Sequence, residues 1–231
     1  MNRPRPPIEL IIAVAEKLGD LRDRVTFLGA ASVTLLVTDR AARPPRATTD
    51  VDVVIDLASL QEFYELEESL RERGFENAVE GPVCRFRHGF TVLDVMPTDP
   101  EIIGFSNRWY PAAVKSSRLH TLDNKTEIHL IAPACFLATK FEAFGSPDRE
   151  GHGDLLASRD FEDIVTVIDG RPSLADDCKE AEEDVRAYLH DRLSALLRER
   201  YFLEGIEAHV ESGRAGIVAE RIGAIVGSLR S

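Results

Sequence analysis

Two aspartates one residue apart, Asp50 and Asp52, open a stretch that continues through Val53, Val54 and Ile55. Val and Ile in such a run predict a buried strand, and a period of two puts both carboxylates on one face of it. Like charges this close repel each other. In a low-dielectric setting the repulsion raises one pKa until that group is neutral, unless a cation between them keeps both ionised. Oxygen-only ligands at a strand end suit a hard divalent ion, Mg²⁺ or Mn²⁺, with phosphate oxygens completing its shell. The chemistry on offer is therefore a metal-nucleotide site. The other reading of an Asp-x-Asp is a turn, with both residues flanking the loop that contains Pro44, Pro45 and Arg46.

A site of that kind needs elements that hold it. Val25 to Leu28 predicts a short buried strand, and it runs into Gly29-Ala30-Ala31-Ser32 and then the apolar Val33, Leu35, Leu36 and Val37. A strand, a turn of small residues and a helix allow phosphate to approach the backbone N–H groups of the helix start. Small residues serve equally where a helix packs closely on a sheet. The loop from Thr38 to Ala47 carries Arg40, Arg43 and Arg46, which are either phosphate contacts or solvated charges; Arg46 lies nearest the carboxylates. Further on, Val83 to Arg87 and Phe90 to Met96 read as two strands around a hairpin at His88-Gly89. Asp94 sits between Leu93 and Val95, where an unpaired carboxylate is costly to bury. Its strand is expected beside Val51 to Ile55, which makes Asp94 a third acid of the cluster; an edge strand with Asp94 in solvent is the alternative.

Helices account for much of the rest. Leu10, Ile11, Val14, Ala15 and Leu18 recur at helical spacing, as do Phe63, Leu66 and Leu70 in a helix from Ser59 to about Arg73 that Ser59 caps and Gly74 closes. Pro133 starts a helix through Phe144. Lys140 falls in its apolar stripe, where a lysine either snorkels out or meets an anion. Ser158 caps another helix, with Phe161, Ile164, Val165 and Ile168 as its apolar face. Asp160 and Asp163 lie in its first turn, where the helix dipole alone accounts for acids. A long helix marked by Val185, Leu189, Leu193, Leu196 and Leu197 follows, then two shorter ones near Ile206 to Val210 and Ile217 to Leu229. Between Pro97 and Ile131, Ile102 to Phe105 and Arg108 to Tyr110 are apolar enough to pack and Thr126 to Ile131 is a candidate strand, but periodicity does not settle these stretches.

Composition narrows the classes. With 231 residues, 44% of them hydrophobic, the chain can fill a core. It has no apolar run of membrane-spanning length, and its start lacks a signal-peptide centre, so a cytoplasmic protein with no membrane role is expected. Cys84, Cys135 and Cys178 are odd in number and widely spaced, which predicts buried thiols rather than disulfides or a zinc site. A net charge of −12 opposes broad non-specific nucleic-acid binding, though a local basic patch can still grip one end.

The order Gly-Ala before a helix, Arg-x-Thr-x-Asp-x-Asp, a strand Asp, a helix Lys and Arg-Asp-x-x-Asp resembles the nucleotidyltransferase superfamily that includes DNA polymerase beta, and particularly its AbiEii-type abortive-infection toxin branch. The resemblance runs from Val25 to Pro172. It implies an α+β fold, a mixed β-sheet flanked by helices: a nucleotidyltransferase core over residues 1–131, a helical region over 132–172 completing the nucleotide cleft, and C-terminal helices over 173–231. It also implies a Mg²⁺- or Mn²⁺-dependent enzyme that transfers a nucleoside monophosphate from an NTP to a hydroxyl. Asp50, Asp52 and Asp94 would be the catalytic metal ligands, Gly29 and Ala30 the phosphate turn, and Arg46, Thr48, Lys140 and Asp160 nucleotide-binding residues. Ala30 departs from the family's second Gly or Ser, a place Ser32 would fill. The acceptor implied is an RNA 3′ end such as tRNA or a protein hydroxyl, and a toxin of this branch pairs with an antitoxin protein. Two other classes stand beside this one. A non-catalytic nucleotide-binding regulatory module would share the fold, and a nucleotide-sugar glycosyltransferase would use the Asp-x-Asp but leave Gly29, Lys140 and Asp160 unexplained.

Overall fold

The computed structural model describes residues 6–230; residues 1–5 and 231 lie outside them. The chain divides into two compact units, the first formed by the described part of Met1–Ser32 with Ala47–Ile131 and the second by Val33–Arg46 with the described part of Ala132–Ser231.

The first unit is built on one mixed sheet. Helix α1 (Pro7–Leu18) buries the face carrying Leu10, Ile11, Val14, Ala15 and Leu18, and a 3-10 turn (Gly19–Arg24) leads from it to β1 (Val25–Leu28), buried along its whole length. Helix α2 (Gly29–Leu36) follows β1 without a linker, and its last residues belong to the second unit. Then come β2 (Asp50–Ile55), α3 (Leu60–Glu72), β3 (Glu76–Asn77), β4 (Arg85–His88), β5 (Thr91–Pro97), α4 (Pro100–Ile103), α5 (Tyr110–Lys115), β6 (Arg118–Thr121) and β7 (Glu127–Leu130). The seven strands run in the order β3-β4-β5-β2-β1-β7-β6. The pairs β2–β5 and β1–β7 are parallel, and the other four are antiparallel. Helices α1 and α4 pack on β5, α1 and α5 on β2, and α5 on β1.

Local signals explain these elements. Ser59 Oγ accepts from Glu62 N at 3.2 Å to start α3, and Gly74 follows its end at φ +80°. The β4–β5 hairpin pairs His88 with Thr91 across Gly89, and its register continues to Arg85 opposite Asp94. Strand β2 lies at the middle of the sheet because its Val and Ile side chains are apolar on both faces beyond the two acids. The stretch whose periodicity was indecisive supplies α4, α5 and the edge strand β6, short elements; Tyr110 at the start of α5 and Trp109 just before it are nevertheless buried.

The second unit is helical: α6 (Pro133–Phe144), α7 (Arg159–Gly170), α8 (Leu174–Lys179), α9 (Glu183–Leu196), α10 (Phe202–Glu207) and α11 (Ala215–Ser228). Helix α6 packs on α7, α8 and α9, while α11 packs on α7 through α10. The Arg-rich loop after α2 is anchored within this unit. Thr38 N and Asp39 N both donate to Gly170 O, at 2.7 and 2.8 Å. A Cβ on Gly170 would stand 2.6 Å from Val37 Cγ1, so glycine is what allows the close approach. Arg214 adds a clamp, donating from Nε to both oxygens of Asp169 and from Nη2 to Asp39 Oδ2 at 3.0 Å. The expected long helix ends one residue short of Leu197, an exposed residue of its C-terminal cap rather than of its apolar face.

Among the described residues no helix is long and apolar enough to cross a membrane.

Candidate functional site

The first unit gathers the acids by strand register. Parallel pairing of β2 with β5 sets Asp52 opposite Asp94, and antiparallel pairing of β2 with β1 sets Asp52 opposite Leu28, the residue before Gly29. Asp50 is two residues before Asp52 and therefore on the same face of β2. Thr48 Oγ1 donates to Asp50 Oδ1 and fixes the direction of that carboxylate. The Asp94 side chain is only 9% exposed, whereas that of Asp50 is 33% exposed, so the cluster grades from buried to solvent-reachable.

Gly29 has a specific reason to be glycine. Its φ is +72°, and a Cβ there would lie 1.9 Å from Asp52 Oδ2 and 2.5 Å from its Cγ. The small-residue turn thus makes room for the Asp52 carboxylate, which binds the turn and the acidic pair into one construction. Ala30 is buried beside it. Ser32 is also buried, and its Oγ donates to Leu28 O at 2.8 Å, a bond to the preceding turn that any contact of this hydroxyl with phosphate would have to replace. A Gly29→Ala variant is expected to lose about 1–2 kcal/mol from the left-handed backbone alone, and to swing the Asp52 carboxylate away. Chemical denaturation measures the first effect, and a crystal structure of the variant shows the second.

Sequence reading missed Arg85. Its Nε stands 2.8 Å from Asp94 Oδ1 and its Nη2 2.6 Å from Asp94 Oδ2, a two-pronged pair; the same Nη2 is 3.8 Å from Asp50 Oδ2. Hydrogen bonding to Asp94 pushes the guanidinium pKa further up, against the opposing effect of burial, so Arg85 is a permanent cation. The signal was present: counting back through a hairpin from His88 opposite Thr91 lands Arg85 on Asp94.

The second unit collects Arg46, Lys140, Asp160 and Asp163 into one ion-pair network. Lys140 Nζ lies 2.9 Å from Asp160 Oδ1 and 2.7 Å from Asp163 Oδ2, and Arg46 grips Asp163 through both oxygens at 2.9 and 3.1 Å. Lys140, whose side chain is 11% exposed, therefore does not snorkel; it meets two carboxylates. Burial by itself would lower its pKa, but Asp163 and Asp160 outweigh that and raise it. Asp160 moves the other way: burial opposes, yet Lys140, then Arg149 and Arg46, hold its carboxyl below the usual range. Asp163 is the hub, and helix-start stabilisation does not account for a carboxylate that is 3% exposed and paired with two cations. The spacing Asp160-x-x-Asp163 on one helix face was the available clue.

The three thiols are buried, and burial together with nearby carboxylates pushes Cys84 and Cys178 up to about 12. Cys84 and Cys178 are therefore neutral thiols at physiological pH.

Divalent-metal chemistry can be weighed against these residues. The donors are all carboxylate oxygens, register brings Asp52 and Asp94 side by side, and Gly29 leaves space at Asp52, all of which fits a hard cation. As the side chains stand, however, no group of three His, Cys, Asp or Glu residues converges on a common metal position among the described residues. The cation already between Asp94 and Asp50 is Arg85.

The fold is similar to that of a solved structure described as an antigenic nucleotidyltransferase-like protein from Paracoccidioides brasiliensis. The TM-score is 0.50 at 19% sequence identity, covering 91% of this chain and 96% of that one. No family model matches the chain, and no curated protein matches it.

Proposed function

We propose that this chain, whose fold is nucleotidyltransferase-like, is a divalent-metal-dependent nucleotidyltransferase moving a nucleoside monophosphate from an NTP to an acceptor hydroxyl. The observation that supports it is the register of Asp52 with Asp94, beside a glycine turn shaped around the Asp52 carboxylate. Mg²⁺ or Mn²⁺ held there would neutralise triphosphate charge and favour ionisation of the attacking hydroxyl. Asp50 and Asp52 are the ligands on β2, with Thr48 orienting Asp50. Asp94 serves the acceptor side, as a further ligand or as the base that receives the hydroxyl proton. Gly29 and Ala30 offer backbone N–H groups to phosphate. The resemblance assigns Arg46, Lys140 and Asp160 to the nucleotide. In the network observed, a phosphate contact by Arg46 or Lys140 exchanges a carboxylate partner for a phosphate oxygen. We take the acceptor to be an RNA 3′ end, such as that of tRNA, or a protein hydroxyl, and the biological role to be that of a toxin held by an antitoxin.

One observation favours a second reading, a non-catalytic nucleotide-binding module. The Arg85–Asp94 pair balances part of the acidic charge without any metal. Incubation with each α-labelled NTP, Mg²⁺ and either total RNA or RNA-depleted lysate separates the two, with chelator as control. Label in RNA or in protein, lost on chelation, is the result expected of the enzyme and names the acceptor class. NTP binding with no transfer to either pool would replace the enzyme by the binding module.

A further inference from the structure

We infer that Arg85 is an internal counter-cation that competes with the divalent ion for Asp94, so that metal is admitted only as the guanidinium lets go. This rests on the metal-site reading above and adds to it a competitor supplied by the chain itself. Both Asp94 oxygens are engaged by the fork of Arg85, at 2.8 and 2.6 Å, and Asp94 is held in place by β5 between the buried Leu93 and Val95. A carboxylate so engaged cannot present its lone pairs to an ion unless the arginine moves. The arginine can move: its side chain is 27% exposed, against 9% for Asp94. A second carboxylate, Asp50, stands 3.8 Å from the same Nη2, and the charge of Asp52 also acts on the guanidinium, so release alters the charge balance at all three acids at once.

The physical consequence is a weakened affinity. When the competent state is only a fraction of the population, apparent affinity falls by that fraction. Removing the competitor should therefore tighten metal binding even with no nucleotide present. Mn²⁺ binding is measured by calorimetry on the whole chain for wild type, Arg85→Gln, Arg85→Lys and Asp52→Asn. Arg85→Gln is expected to bind Mn²⁺ about tenfold more tightly, the change that corresponds to ~1.4 kcal/mol. Arg85→Lys, which keeps the charge but loses the planar fork, is expected to lie between Arg85→Gln and wild type. It carries the test if the Gln variant does not fold. Wild-type Mn²⁺ affinity in both Arg85 variants, with binding lost in Asp52→Asn, overturns the competition and leaves the metal site standing. No Mn²⁺ binding by any of the four proteins overturns both.

Discussion

Asp52→Asn is expected to lower nucleotidyl transfer on the order of 10²- to 10³-fold, the scale on which loss of one electrostatic group in an active site is felt, while leaving the protein as stable as before. Asn has nearly the shape of Asp, so the space that Gly29 leaves for that side chain stays filled. Its neighbour across the β2–β5 register is Asp94, and Asp50 precedes it by one period of the strand. Neutralising one of three crowded acids relieves repulsion. The melting temperature should accordingly hold or rise while the rate collapses, a combination that a structural aspartate does not produce. Rate is followed with labelled NTP and the acceptor pool that takes label; folding is followed by circular dichroism and thermal denaturation. Transfer at the wild-type rate in Asp52→Asn would remove this residue from the chemistry.

Lys140→Met should lower stability as well as remove the phosphate contact proposed for this lysine. The lysine stands between Asp160 and Asp163, and taking it away leaves Asp163 with Arg46 but strips Asp160 of its closest cation. Removing one member of a buried pair costs about 3–5 kcal/mol because the remaining charge stays desolvated. Met matches the length of the lysine stem, so little of the loss comes from packing. Equilibrium denaturation at neutral pH reads the difference directly. Adding Asp160→Asn to Lys140→Met should restore part of it, since the orphaned charge is then gone.

The sign of the pH dependence follows from the two shifts. Asp160 has a folded-state pKa below its ordinary 3.8, so its contribution is complete above that value and disappears as pH falls through the lower folded-state value. Lys140 is raised above 10.5, so its contribution is complete below that value and fades only as pH climbs through the higher folded-state one. The stability gap between wild type and Lys140→Met is therefore expected to be flat across the neutral range and to narrow in acid. The narrowing begins where the orphaned Asp160 of the variant, raised by burial once its cation is gone, takes up a proton; a gap that widens as the pH falls would contradict that assignment.

Fold and site were legible to different depths. The alternation of Asp50, Val51, Asp52 and Val53 was enough to read a strand with its acids on one face, because side-chain direction along a strand is a local property. Ser59 and Ser158 announced α3 and α7 for a similar reason: each hydroxyl accepts from an N–H three residues along, Glu62 in one case and Phe161 in the other. The neighbourhood of β2 and β5 followed from the cost of leaving Asp94 alone between Leu93 and Val95. Helix α8 was not told apart from the charged helical stretch that follows it, because Leu174 and Cys178 are its only buried side chains, too few to show a period.

What the chain alone determined is the central strands, the longer helices and the placement of Asp50, Asp52 and Gly29 within them, since periodicity, capping and turn chemistry act over a few residues. What only the tertiary structure decided is which charges meet. Arg85 takes Asp94, Asp163 binds both Lys140 and Arg46, and the loop holding Asp39 is drawn to Gly170 and Arg214. Charged side chains are long and their attraction has no period, so many pairings satisfy one sequence until burial makes an unpaired charge too costly and packing selects the partner within reach.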